Sequence, residues 1–263
     1  MAAICGIDWA SEHHDVHVAD REGEVLAARR FAHTEEGIGD LIELLVCHRV
    51  GLVAIERPDG LLVGRLLAAG LRVMAIHPNQ LAAARERFRA AAGKSDRFDA
   101  MVLCELARTD AHRFGVLAPL GDETVALRSL VRAREDLVGA KVALANQLRA
   151  QLEASWPGGA RIFAAVDSKV ALAFLARYPS AADARGLGPK RLAGFLARHS
   201  YCGRRSPEEL LTRLRGAPVA ALGEAEAEAR RTAVGGLVAA LEQIVAEIRR
   251  LEAEIAGAVR RHP

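Results

Sequence analysis

The sequence predicts an α/β protein: a mixed sheet with flanking helices, followed by a helical region and a coiled-coil helix. Three observations carry that expectation. Short alternating or wholly apolar runs crowd the first eighty residues, turn signals separate them, and beyond residue 96 the apolar spacing is helical throughout. A chain of 263 residues can bury one sizeable core plus an accessory element, or two small domains.

Residues 3–9, 14–20 and 24–32 read as three short strands, with Asp20-Arg-Glu-Gly23 the clearest turn between them. Residues 35–48 follow as a helix whose stripe is Ile38, Leu41, Ile42, Leu45 and Val46. Leu52–Ile55 is a continuous apolar run suited to a strand buried on both faces. A helix over 61–69, a buried strand over 71–76 and a helix over 79–91 complete the pattern. A meander followed by alternating helices and strands gives a mixed sheet covered on both sides.

Further on, Leu127, Leu130, Leu137, Leu144 and Leu148 mark one face of a long helix running to about Trp156, where Pro157-Gly158-Gly159 predicts a break. Residues 160–216 read as several short helices with basic connections. In the tail, Leu237, Leu241, Ile244, Ile248, Leu251 and Ile255 alternate spacings of four and three, a heptad seam that predicts pairing with another helix. A helix lying amphipathically on its own core gives the same spacing. The expected divisions are 1–155 for a catalytic domain, 156–222 for a basic helical region and 223–263 for the coiled-coil helix.

Composition narrows the function classes. Hydrophobic residues make up 51%, yet no eighteen-residue apolar stretch is free of charges, so no membrane span is expected. The N-terminus reads as a strand reaching a carboxylate, not as a signal peptide. Cys5, Cys47, Cys104 and Cys202 are scattered, with no Cys-x-x-Cys pair, and suggest reduced thiols in the cytoplasm. The net charge is only +3, but eight Lys/Arg fall between Arg185 and Arg215, against Glu208 and Glu209. A second basic cluster holds Arg85, Arg87, Arg89, Lys94 and Arg97. Such concentrations suit a polyanion, because each phosphate contact releases counterions. They also suit solvated faces of arginine-rich helices. Glycines in Gly186-Leu-Gly188-Pro189-Lys190-Arg191, opening a helix beside two basic residues, suit a phosphate or a plain surface turn. Eleven aromatic residues are too few for base stacking along a strand. His13-His14 beside Asp15 reads as surface.

Four acids carry the candidate chemistry. Asp8 ends the first apolar strand and Glu56 follows Leu52–Ile55, so both project beyond the carboxyl ends of strands, where ligands gather in open α/β sheets. Asp96 and Asp99, three apart where a helix begins, share a face. Their convergence calls for hard cations, and an all-oxygen donor set suits Mg²⁺ or Mn²⁺. Two such ions would serve phosphodiester chemistry. Singly, each acid also reads as a turn or capping residue favoured by a helix dipole.

Gly6-Ile-Asp8-Trp-Ala, Ala54-Ile-Glu56, His77-Pro-Asn-Gln80 and Lys94-Ser-Asp96-Arg-Phe-Asp99-Ala100, in this order, resemble the DEDD transposases of insertion sequences, whose members are guided by a structured bridge RNA. The resemblance covers residues 3–155 well and the helical remainder more loosely. It implies an RNase H/RuvC-like fold with Asp8, Glu56, Asp96 and Asp99 as metal ligands and catalytic residues. It also implies DNA element ends and target as substrates, a structured guide RNA as partner, and a further C-terminal domain with a serine nucleophile. None of the serines here lies in a matching motif. Where many relatives follow the glutamate with Ala/Ser-Thr-Gly, this chain has Arg57-Pro58-Asp59-Gly60.

Lys94, Arg97, Arg85, Arg87, Arg89, Lys190 and Arg191 are the expected nucleic-acid contacts, and the tail seam is the expected route to a homo-oligomer. The leading expectation is a Mg²⁺-dependent transposase or recombinase catalytic domain. The competing ones are a junction-resolving nuclease using metal-activated water, and a non-catalytic nucleic-acid-binding regulator.

Overall fold

A computed structural model describes residues 2–88 and 96–261, which fall into two compact units, Met1–Pro119 and Leu120–Pro263. The first unit is built on a five-stranded sheet of β1 (Ala3–Trp9), β2 (His13–Ala19), β3 (Val25–Ala32), β4 (Val50–Ile55) and β5 (Val73–Ala75), in spatial order β3-β2-β1-β4-β5. The first three strands form an antiparallel meander, while β4 and β5 join parallel to β1. Each parallel step needs a crossover, and α1 (Glu35–Cys47) and α2 (Leu61–Ala68) provide them. This mixed sheet, flanked by helices, is the expected RNase H/RuvC-like arrangement.

The two faces of the sheet carry separate cores. On one, Cys5, Ile7, Val16, Val53 and Ile55 pack against Ile38, Leu41 and Leu45 of α1 and Leu62 and Leu66 of α2. On the other, Ala54, Met74 and Ile76 pack against Leu81 of α3 (Pro78–Phe88) and Val102, Leu103 and Leu106 of α4 (Asp96–Thr109). Each fully buried Ile or Leu contributes about 1.5–3 kcal/mol relative to exposure. Helix α1 starts where the Thr34 hydroxyl accepts from the Gly37 amide at 3.1 Å. Its stripe is narrower than the sequence suggested: Val46 is 58% exposed and faces solvent. The last strand is shorter than expected, three residues, with Ile76 buried beyond its end.

The second unit is helical. The long helix α5 (Asp122–Ser155) is followed by α6 (Pro157–Arg161), α7 (Lys169–Arg177), α8 (Pro189–Arg198), α9 (Pro207–Arg215) and α10 (Glu224–Arg261). The expected break at Pro157 is a restart: α5 ends at Ser155, and Pro157 opens the next helix, where its missing N–H costs nothing. Gly158 is required by close approach, since a Cβ there would overlap the Leu214 carbonyl. The heptad seam of α10 finds its partner inside the chain. It packs along α5, with Leu241, Ile248 and Leu251 buried, Leu237, Ile244 and Ile255 half-buried, and Arg134 donating to Glu252 at 2.7 Å. The seam's spacing is thereby accounted for without a second copy. Among the described residues, no helix is long and apolar enough to cross a membrane.

Candidate active site

The site forms where α4 lies across β1. Gly6 permits this, because a Cβ at that position would overlap the Ala100 carbonyl oxygen and the Cys104 amide nitrogen. The Cys104 thiol donates to the Ile4 carbonyl at 3.4 Å on the same face. Side chains alternate along a strand, so Asp8, two residues beyond Gly6, points to the α4 side. The first turn of α4, with Asp96 and Asp99, precedes Ala100 and lies toward that end of the strand. On the neighbouring parallel strand Ile55 is level with Ile7, which sets Glu56 beside Asp8.

The antiparallel register extends the acidic row sideways. Asp15 of β2 is directly opposite Asp8, and Arg30 of β3 is directly opposite Asp15. Like charges opposite one another destabilise a sheet, and Arg30 relieves that repulsion by donating to both oxygens of the buried Asp15 carboxylate, at 2.7 Å from Nη2. Arg85 of α3 does the same for Asp99, which is 5% exposed, at 2.5 and 2.6 Å. His13 Nε2 lies 3.4 Å from Asp96 Oδ2 and 3.9 Å from Asp15 Oδ2, and ligand atoms of these three residues all lie within 4.8 Å of one another.

The electrostatics report how closely the acids converge. Burial first, and then the charges of Asp99, Asp96, Glu56 and Asp15 in falling order, together lift the Asp8 carboxyl to about 7. The other three sequence-predicted acids thus all act on Asp8 at the end of β1. Among the described residues, Asp8, Asp15, Glu56, Asp96 and Asp99 face two closely bonded guanidiniums, those of Arg30 and Arg85, which leaves a negative surplus. The buried thiols nearby do not compete as soft ligands: burial and Glu105 push Cys104 to about 12, and burial raises Cys5 well above its usual range. An oxygen-rich, net-negative pocket of this composition fits a hard divalent cation.

Sequence reasoning missed His13 and Asp15. Period-two spacing of His13, Asp15 and His17 was the available signal, but only the register with β1 puts them on the acid side. His14 is a correction to the surface reading of this pair: it is fully buried on the opposite face, its Nε2 2.8 Å from His33 Nδ1, and burial with the neighbouring His33 and His13 lowers it to about 4.

The basic residues separate by position. Arg97 is 76% exposed, 3.9 Å from Asp15, and Arg87 is exposed and 3.6 Å from Asp110. Arg85 is committed to Asp99. Lys190 and Arg191 are exposed on the first turn of α8, in the second unit. Arg89 and Lys94 lie outside the described residues. Beside the acids, the Arg57 guanidinium stacks over Trp9, 4.5 Å from the ring centre.

The Arg85 pairing makes a direct prediction. Arg85→Met should leave Asp99 as an uncompensated, nearly buried charge and lower stability by about 2–3 kcal/mol without divalent cation. Added Mg²⁺ should recover most of it. Urea melts with and without Mg²⁺ measure both, and equal loss in the two would show that Asp99 does not face a cation site.

Comparison with known proteins gives a consistent result. The family model described as Transposase, of the DEDD type named for IS110, matches residues 5–157. A mini-circle putative transposase for IS117 from Streptomyces coelicolor is 36% identical over 172 residues, 64% of this chain and 42% of its own length. The putative transposase y4uE from Sinorhizobium fredii is 36% identical over 158 residues, 58% of this chain and 44% of its own. An uncharacterized 44.8 kDa protein of insertion element IS116 from Streptomyces clavuligerus is 30% identical over 196 residues, 73% of this chain and 49% of its own. The chain spans a little under half the length of these curated relatives.

Proposed function

Because the chain belongs to the DEDD transposases of the IS110 family, we propose that its first unit supplies the divalent-cation site for DNA phosphodiester chemistry in insertion-sequence transposition. The observation that supports this most directly is the Asp8 carboxyl, raised to about 7 by burial and by Asp99, Asp96, Glu56 and Asp15. Burial is the larger cause and the converging like charges add to it, so an ionised Asp8 is favoured there only when positive charge is held beside it. Mg²⁺, with Mn²⁺ as substitute, would polarise a phosphoryl oxygen and activate an attacking one.

The residues divide the work. Asp8 and Glu56, on adjacent parallel strand ends, form the fixed side of the site. Asp96 and Asp99 approach from the first turn of α4. Arg30 and Arg85 hold Asp15 and Asp99 in place and limit the charge the fold must tolerate. Arg97, exposed beside the acids, would meet a phosphate, and the exposed Lys190 and Arg191 of the second unit would meet the nucleic-acid backbone. A structured guide RNA is the partner that the family resemblance implies, and the basic helical stretch 156–222 is the part proposed to meet it.

The test is binding and cleavage of labelled branched DNA and structured RNA by this chain in Mg²⁺, compared with Asp8→Ala and Asp96→Ala. Cation-dependent binding or nicking should appear with the unaltered chain and fall about 100-fold or more in both variants, beyond what loss of a mere supporting group causes. No nucleic-acid binding at low salt, with or without cation, would overturn the proposal.

A further inference from the structure

The second unit contains a half-open cavity of about 440 Å³, where the end of α5, the segment after α7, residues 219–222 and the first turns of α10 meet. Its floor is apolar: Trp156 and Val234 are 4% and 3% exposed, and Val219 and Leu222 add to them. The Trp156 indole is held in place by the bare Gly159, whose Cβ would overlap the ring, and by Phe174 at 6.4 Å between ring centres. The wall is cationic, with Arg185, Arg230 and Arg231. Arg230 is bonded to Glu226 at 2.9 Å, and Arg231 to Asp183 at 3.1 Å with Glu228 at 3.6 Å. Arg185, exposed at the mouth, has no carboxylate partner among the described residues.

This combination narrows the occupant. A bare phosphate has no use for an apolar floor, and an apolar molecule has none for a guanidinium rim. The volume falls in the range of small-molecule sites, and a nucleotide joins a flat, largely apolar base to an anion that suits a guanidinium fork. The carboxylates on Arg230 and Arg231 fix those side chains against the wall and leave Arg185 as the free charge.

We propose that this cavity takes a single nucleotide swung out of a nucleic-acid strand, its base on the Trp156 floor and its phosphate at Arg185. The inference rests on the reading of this chain as a nucleic-acid-binding protein. It needs only one base, so the scarcity of aromatic residues does not weigh against it. Extruding a nucleotide costs least where it is already unpaired, and the preference for such a nucleotide is what the cavity would add to backbone attraction.

The experiment measures binding by fluorescence anisotropy to a fully paired duplex and to the same duplex bearing one unpaired nucleotide, each as DNA and as RNA. The unpaired nucleotide should bind about tenfold tighter, the effect of gaining one base contact, and the arm that shows it identifies DNA or RNA as the source. Arg185→Gln removes the charge, and Ala227→Trp, at an exposed position on the rim, fills the space without altering charge. Both should reduce the preference to nearly nothing, and Ala227→Trp, which alters no charge and lies outside the basic stretch, should leave affinity for the paired duplex within about twofold, with circular dichroism melts confirming that both fold. Equal affinity for the two duplexes, or a preference that survives both variants, overturns the inference while leaving the general nucleic-acid reading intact. Failure of either duplex to bind removes that reading and this one together.

Discussion

Replacing Gly6 by valine should unfold the first unit near physiological temperature, or come close to it. A Cβ at this position meets the backbone of α4 at Ala100 and Cys104, and backbone cannot rotate away as a flexible side chain can. Overpacking in a well-filled core costs about 1–3 kcal/mol. Here the whole helix must lift from β1, so a loss of about 4 kcal/mol or more is expected, a large part of the stability of an ordinary domain. That corresponds to a fall of roughly 15 °C in Tm. Gly39 is the control, because nothing lies within 4 Å of a Cβ added there in α1, and Gly39→Ala should be neutral or slightly stabilising. Thermal melts of the two variants beside the parent decide it. Near-equal Tm values for parent and Gly6→Val would mean that α4 does not rest on β1 as described.

The second large effect is expected at Asp8, and its sign reverses with cation. The folded chain holds this carboxyl's proton up to about pH 7, through burial and then Asp99, Asp96, Glu56 and Asp15, whereas an unfolded aspartate releases it near 4. The stability due to the neutral form is therefore fully present below about pH 4 and is lost as pH rises through about 7. Asp8→Asn never ionises and escapes that loss. Without divalent cation at pH 8 it should be more stable than the parent by about 1–2 kcal/mol, a figure reduced for the solvent that reaches the half-buried carboxylate. At pH 4 the difference should vanish. With Mg²⁺ at a hundredfold excess over its Kd, the parent should gain about 2.7 kcal/mol and the variant little. Calorimetry at the two pH values, with and without Mg²⁺, reads all of this. An Asp8→Asn protein less stable than the parent at pH 8 without cation would refute the account. Because proton and cation compete for Asp8, cation affinity should also fall about tenfold for each pH unit below 7.

Much of this was legible in the residues, for identifiable reasons. Strand alternation and the buried run Leu52–Ile55 place Asp8 and Glu56 at strand ends, and a three-residue spacing puts Asp96 and Asp99 on one helical face. Those are local patterns, and local patterns survive in a sequence. What did not show was anything set by pairing between distant elements. Asp15 sits opposite Asp8 because of a register, and His13 reaches Asp96 across 83 residues of chain. Arg85 bonds Asp99 from a different helix, so in the sequence it looked like free positive charge. The seam of α10 was visible, but a heptad does not say whether its partner belongs to the same chain. His14 and Val46 went the other way, since a histidine beside an aspartate looked wet and a valine in a helical stripe looked dry.

The two committed guanidiniums have a consequence for the order of events. With Arg30 and Arg85 serving as resident counter-ions to Asp15 and Asp99, the first unit need not wait for a divalent cation to become compact. Loading of the proposed cation would then be a separate, reversible event in which an incoming ion displaces Arg85 from Asp99 or shares Asp99 with it. Under the proposed function, such an arrangement would separate maturation from arming, because folding would be complete before the site acquires its cation.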